Sequence, residues 1–146
     1  MNKLILTIIL TTFFFANSGN PFNYLPSQQG NGQIVHHTNY TLQYNEEHEQ
    51  ASWVAYRLTG QQIQNPSTKR KDNFRSDPKV KTGSASLSDY KGSGYDRGHL
   101  APAADFKWSA TAMSESFYMS NMSPQVPSFN RGIWKNMKSR NSNHQK

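Results

Sequence analysis

Two stretches of alternating side chains, His37 to Tyr44 and Ser52 to Leu58, lie close together within QIVHHTNYTLQYNEEHEQASWVAYRLT and set the first limit on what this chain can fold into. A period of two puts every second side chain on one face, and the polar, acidic residues between the stretches are turn material, so the segment predicts an antiparallel pair. Such a pair needs a core to cover its buried face, and apolar material is scarce: the 34% apolar fraction includes a concentrated N-terminal run. There is no cysteine, so no disulfide braces the fold. Stability has to come from packing, with a bound ion as a further source.

The N-terminal run itself, MNKLILTIILTTFFFANSGN, has one lysine, apolar residues from Leu4 to Phe15, and small residues at Ala16 and Ser18. That pattern reads as a secretory signal over residues 1–18, cut after Ser18. About a dozen apolar residues fall short of the roughly twenty that span a bilayer, so no membrane span is expected once the signal is removed. No cysteine follows it to carry a lipid. The expected location is secreted or periplasmic. Without Lys3 the rest keeps fifteen Lys and Arg against nine Asp and Glu, a net charge of +6. A basic exported protein favours polyanions, although solubility or attraction to an anionic cell surface would account for the same charge.

Residues 19–33, rich in Asn, Pro, Gly, Ser and Gln, read as an extended lead-in. The domain proper is expected over 34–140 and a frayed tail over 141–146. From Gly60 to Lys91 the chain is polar and broken by Pro66, Pro78 and Gly83, so it should wrap the surface without long elements. Ala110, Met113 and Phe117 have helical spacing, FYMSNM then reads as a strand ending at Pro124, and a second helix is expected after Pro127 with Ser128 as its cap and Ile133, Trp134 and Met137 on one face. Trp108 and Trp134 read as core, and Trp53 fits a buried strand position better than a base-stacking platform. His36, His37, His48 and His144 have no zinc-like spacing and read as surface or packing residues.

The segment GYDRGHLAPAADF, starting at Gly94, concentrates the chemistry. Cleaving a phosphodiester requires an activated water, cations for the phosphoryl oxygens and stabilisation of the leaving oxygen. His99 is suited to take the proton, and Arg97 offers a permanently charged fork for phosphate. On an extended segment these two point to one side and Asp96 to the other, which makes Asp96 a supporting acceptor. Gly98 would let a substrate backbone pass closely, and Gly94 would supply an unusual backbone angle. A lone His beside an Arg is more often a surface pair, so the string carries weight only in context.

That context is DYKGSGYDRGHLAPAADF followed by SFYMSNMSPQVPSFNRGIW, which together closely resemble the DNA/RNA non-specific endonuclease family. The resemblance extends back through WVAYRLT and FRSDPKV and covers roughly Tyr40 to Arg140. It implies an α+β fold of the ββα-metal (His-Me finger) type with a central, mainly antiparallel sheet. It also implies a metal-dependent hydrolase of DNA and RNA, with His99 as general base and Asn130 as the single protein ligand to a divalent ion, magnesium or alternatively manganese. Arg97 and Arg131 would contact phosphate, with Asn121 supporting the site. Taken alone, Asn130 would pass for a helix cap or turn residue.

Two departures stand out. Where the family shows a glutamate on the helix after the ligand asparagine, WKNMK has Lys138, whose charge opposes a divalent ion. The family also continues with further strands that finish the sheet, so the domain reads as incomplete, and a partner chain is one way to complete it. The alternative function is therefore a catalytically inactive, nucleic-acid-binding remnant; a structural exported module that uses its basic surface for envelope attachment is a third reading.

Overall fold

The structure, a computed structural model, describes residues 25–28 and 30–137. The leader read at 1–18, the tail at 141–146, Lys138 and His144 lie outside the described residues. Among the described residues no helix is long and apolar enough to cross a membrane.

The expected antiparallel pair is present as β2 (Thr41–Asn45) and β3 (Gln50–Ala55), joined by a turn at residues 46–49. A further strand, β1 (Gln33–His36), pairs with β2 and puts β2 in the centre of a three-stranded antiparallel sheet. The lead-in thus ends one residue earlier than the composition implied. β2 is buried on both faces: Leu42 and Tyr44 enter the main core, while Thr41 and Gln43, on the other face, are also fully covered. Those two polar side chains are satisfied locally, Thr41 Oγ1 by His36 Nδ1 at 3.0 Å and Gln43 Oε1 by the Trp53 indole N–H at 2.9 Å. The register slips between Gln43 and Tyr44, which pair with Trp53 and Ala51, so Ser52 is the extra residue of a bulge.

Beyond the sheet, α1 (Gly60–Gln64) and α2 (Leu87–Tyr90) are single turns in an otherwise irregular segment, as its prolines and glycines require. That segment is not merely a wrapping. Its Val80 joins the main core with Val35, Tyr40, Leu42, Tyr44, Ala101, Phe106 and Ala112, and Phe74 packs on a second cluster of Ala103, Met113 and Phe117. Next come β4 (Asp96–His99), a 3₁₀ turn (Ala103–Phe106), α3 (Ala110–Glu115), a 3₁₀ turn (Met119–Asn121), β5 (Met122–Gln125) and α4 (Pro127–Arg131).

Several boundaries differ from the sequence reading: β2 begins at Thr41 and not His37, since residues 37–40 form a turn closed by the His37 N–H on the Tyr40 carbonyl, and β3 ends at Ala55, short of Leu58. Of the expected strand FYMSNM only Met122 belongs to β5; Phe117 and residues Met119–Asn121 are fully buried in turns, because a short apolar run is equally at home in any buried backbone. The cap of α4 is Val126 and not Ser128, since Pro127 takes the first helical position, where its missing N–H costs nothing. Gly132 then breaks the helix, and residues 133–137 resume it with Ile133 66% and Met137 53% exposed and Trp134 half-buried, so the three do not form one buried face. Trp53 and Trp108 are half-buried as well.

Polar anchors replace part of the missing hydrophobic mass. The buried Asp77 carboxylate accepts from Ser120 Oγ at 2.5 Å, binds His37 Nε2 at 2.8 Å, and accepts the Lys79 N–H at 2.9 Å. One side chain thereby joins the β1–β2 turn to the turn that leads into β5. Burial pushes the Asp77 carboxyl up, but the bonds from His37, Ser120 and the Lys79 backbone together outweigh it and hold the group below its ordinary value. A depressed carboxylate contributes stability that is present above its unfolded pKa of about 3.9 and is lost as pH falls through the lower folded value. Asp77→Ala, which strands two buried partners and the half-buried Lys79 N–H, should cost about 3 kcal/mol in urea unfolding at pH 7. The gap between variant and parent should narrow below about pH 4; a gap independent of pH would contradict the ionised anchor.

Candidate active site

Strands β4 and β5 are antiparallel, pairing Asp96 with Gln125, Arg97 with Pro124, Gly98 with Ser123 and His99 with Met122. Alternation therefore places Asp96 and Gly98 on one face and Arg97 and His99 on the other, as the extended reading of the motif required.

On the second face, His99 is only 6% exposed and sits edge-on to Phe74 and Phe117, at ring-centroid distances of 5.6 and 4.9 Å. Arg97 is exposed, and its guanidinium lies 4.3 Å from the centroid of the Phe74 ring. Phe74 thus orients both residues. Arg70 covers Phe117 in the same way, 4.9 Å from its centroid, which brings a second guanidinium to the aromatic pair that holds the imidazole. Sequence reasoning missed Phe74 and Arg70 because they lie in a polar stretch without periodicity; the FRSDPKV block, which begins at Phe74, was a signal for the first and not for the second.

On the first face, Asp96 organises the link to α4. It accepts both Nε and one terminal nitrogen of Arg131, at 2.8 and 2.6 Å, and Asn130 Nδ2 at 3.1 Å. The hydrogen bonds from Arg131, then from Asn130, pull the Asp96 carboxyl below its usual range. Asp96 is therefore an acceptor that ties β4 to α4. Arg131, expected on phosphate, has two of its donors engaged by Asp96, although its side chain is 72% exposed. The helical residues beyond Gly132 are tied to the same strand, since the Trp134 indole N–H donates to the His99 carbonyl at 3.2 Å. Asn130 and Trp134 thus tie the two ends of β4, Asp96 and His99, to the C-terminal helical segments.

Asn121 is buried and clamps the chain on either side. Its Oδ1 accepts the Ala101 N–H at 2.9 Å, and its Nδ2 donates to the carbonyls of Ala101 and Ser116 at 3.0 and 2.9 Å. Its carbonyl accepts from Leu100 at 3.0 Å, so the segment leaving His99 is fixed over two residues. Its hydrogen bonds all go to backbone groups, so its role in the fold is structural.

Gly98 has a different job from the one its sequence suggested. A Cβ there would lie 2.0 Å from Gln125 Cδ and 2.4 Å from its Cγ, so the space is filled by a side chain of β5 and not held open for substrate. Gly94 does adopt the left-handed conformation anticipated, with φ +81°.

No group of three His, Cys, Asp or Glu among the described residues could form a metal cage. Asn130 offers a different kind of donor: an amide that gives its nitrogen to Asp96 presents its oxygen on the other side, and an amide oxygen is a hard ligand of the type magnesium and manganese accept. The residues present fit one protein ligand to a hydrated cation.

The geometry of β4, β5 and α4 agrees with a match over residues 17–140 to the model of the DNA/RNA non-specific endonucleases. The chain belongs to this family. It is 39% identical over 109 residues to mitochondrial endonuclease G of Homo sapiens, covering 74% of this chain and 37% of the human protein. A nuclease of Nostoc sp. is 38% identical over 122 residues, covering 82% and 44%. A solved structure of the EndoG/EndoGI complex superposes with a TM-score of 0.70 at 30% identity, over 80% of this chain and 49% of that one. The fold is accordingly that of a ββα-metal nuclease. The chain spans less than half the length of these relatives.

Because the notch over Gly98 is occupied, Gly98→Ala should destabilise this endonuclease-family chain by about 1–3 kcal/mol through overpacking. The double variant Gly98→Ala/Gln125→Ala should recover most of that loss in thermal unfolding; additive losses would show that the two side chains do not share the space.

Proposed function

We propose that the chain is the catalytic part of a divalent-metal-dependent endonuclease that hydrolyses phosphodiester bonds of DNA and RNA without marked sequence specificity, and that it works after export, in the periplasm or outside the cell. The observation that carries the reading is the Asp96 carboxylate, which joins Asn130 and Arg131 to the strand bearing Arg97 and His99. That arrangement puts a hard oxygen donor, two guanidiniums and an imidazole on adjoining elements.

In this reading His99 takes the proton of the attacking water. Its ring is set by Phe74 and Phe117 and by the Asn121 clamp behind it, so little reorganisation is needed when the proton moves. With the residue only 6% exposed, the imidazole has no room for a base or sugar beside it, and in this reading its reactant is a molecule as small as water. Arg97, held over Phe74, neutralises a phosphate oxygen as negative charge builds. Asn130 would hold magnesium or manganese, which when bound supplies charge stabilisation at the phosphorus and the leaving oxygen. Asp96 fixes the amide of Asn130 and restrains Arg131 near phosphate. Contacts directed to phosphates and not base edges carry no sequence information, which supports non-specific cleavage.

Nicking of supercoiled plasmid in magnesium should be abolished by EDTA and reduced at least about 100-fold by His99→Ala. Asn130→Ala should raise the magnesium concentration needed for half-maximal rate. Salt-sensitive binding without His99-dependent cleavage would instead identify a nucleic-acid-binding remnant.

A further inference from the structure

A cleft of ≈ 400 Å³ adjoins β4, lined by Leu87, Tyr90, Lys91, Tyr95, Asp96 and Arg97. Its volume is near the lower end of small-ligand sites, roughly 300–1,000 Å³, which is room for one nucleotide and too little for a duplex. Two features of its lining are unexpected for an ordinary surface hollow. Tyr95 is 51% exposed although it immediately precedes the strand of the site. Tyr90 lines the same cleft, its phenol pushed up to about 12 mainly by burial and then by Asp89, with the Arg97 charge opposing, so the ring is neutral at physiological pH and lies within the field of that guanidinium.

The presentation of Tyr95 is built into the backbone. Between α2 and β4 the chain turns through Gly92 and Gly94, with φ of +77° and +81° and open space where their side chains would be. That turn brings Tyr95 to the cleft that Tyr90 lines, and both residues also line a neighbouring cleft of ≈ 520 Å³. The two hollows differ in charge. The neighbour carries Glu49 and Asp89, which repel phosphate, whereas the first carries the exposed cations Lys91 and Arg97, and its one carboxylate, Asp96, is offset by Arg131. An aromatic face flanked by two cations, next to a residue placed on the scissile phosphate, is the chemistry that receives a base and its backbone together.

We propose that this cleft is a subsite for one unpaired nucleobase of a DNA or RNA strand, stacked on Tyr95 while the adjoining phosphates follow Lys91 and Arg97. The inference rests on the nuclease reading and extends it: single strands, loops and frayed ends become preferred over paired duplex. A paired base already has stacking neighbours on both faces and cannot enter without unpairing. The tyrosine ring reads a π-face and not a base edge, so all four bases are accepted.

The test uses the full chain in EDTA, where cleavage is off, with fluorescence anisotropy on labelled single-stranded pyrimidine oligomers of DNA and RNA and on a hairpin duplex of equal length. Tyr95→Ala should weaken single-strand binding about ten-fold and duplex binding less than about two-fold, while Tyr95→Trp retains or improves it. Tyr95→Phe, which keeps the ring and the fold, should bind as the parent does, so a loss in Tyr95→Ala through unfolding is recognised by comparing thermal melts. With magnesium restored, the ratio of single-strand to duplex cleavage should fall in Tyr95→Ala by the same factor. Equal losses on single strand and duplex, no loss on either, or a loss confined to RNA overturns the stacking subsite. Tyr95-dependent binding without His99-dependent cleavage would leave the subsite standing and remove the nuclease reading; the reverse result would do the opposite.

Discussion

One carboxylate holds the site together. Asp96 accepts three hydrogen bonds from two consecutive residues of α4, and this link is what converts a hairpin-like strand pair and a five-residue helix into a single unit. A helix that short has little stability of its own, since nucleation outweighs propagation over one turn. Its position must be imposed from outside. Asp96 imposes it at one end, and the indole of Trp134, on the His99 carbonyl, imposes it beyond Gly132. The carboxyl stays ionised well into acid because Arg131 and Asn130 hold it below the usual range, so the link persists across the range in which an imidazole can act as a base.

The same economy runs through the rest of the fold. With little apolar mass and no disulfide, buried polar side chains do the joining that larger cores do by packing alone. Asp77 connects the β1–β2 turn to the entry of β5, and Asn121 fixes the segment that follows His99. Loss of either side chain would strand buried partners, and a partly satisfied buried network is worse than none. The aromatic rings play the complementary part. Phe74 and Phe117 enclose the imidazole, while arginines stack on their outer faces, so charge and apolar surface are layered instead of segregated.

Local pattern revealed part of this arrangement and not the rest. The β2–β3 pair was legible because alternation with a polar turn between has few other meanings. β1 was not, since Gln33–His36 offers a single inward apolar residue, Val35, and borders a lead-in of turn-formers. The spacing of Arg97 and His99 gave their common face, and the opposite face of Asp96 followed from it. What Asp96 does there was not legible, because its partners lie 34 and 35 positions away and hydrogen bonds at that separation leave no periodic trace. Gly98 was misread for a related reason. A glycine signals that a side chain is excluded, and only the fold says whether a ligand or a neighbouring residue takes the space. The resemblance of DRGH and the later asparagine to a known family supplied what periodicity lacked, and Phe74 and Arg70 escaped both routes as individual residues.

The notch that Gly98 offers to Gln125 acts as a key in a keyway. Sliding β5 by one position along β4 would drive that buried amide onto the Cβ of Arg97 or His99 and turn every side chain of the strand over. A two-stranded ribbon of four residues has few hydrogen bonds with which to choose among alignments, and interlocking shape makes the choice for it. The alignment of β5 against the strand that carries the imidazole and the guanidinium is therefore set by a residue with no side chain of its own.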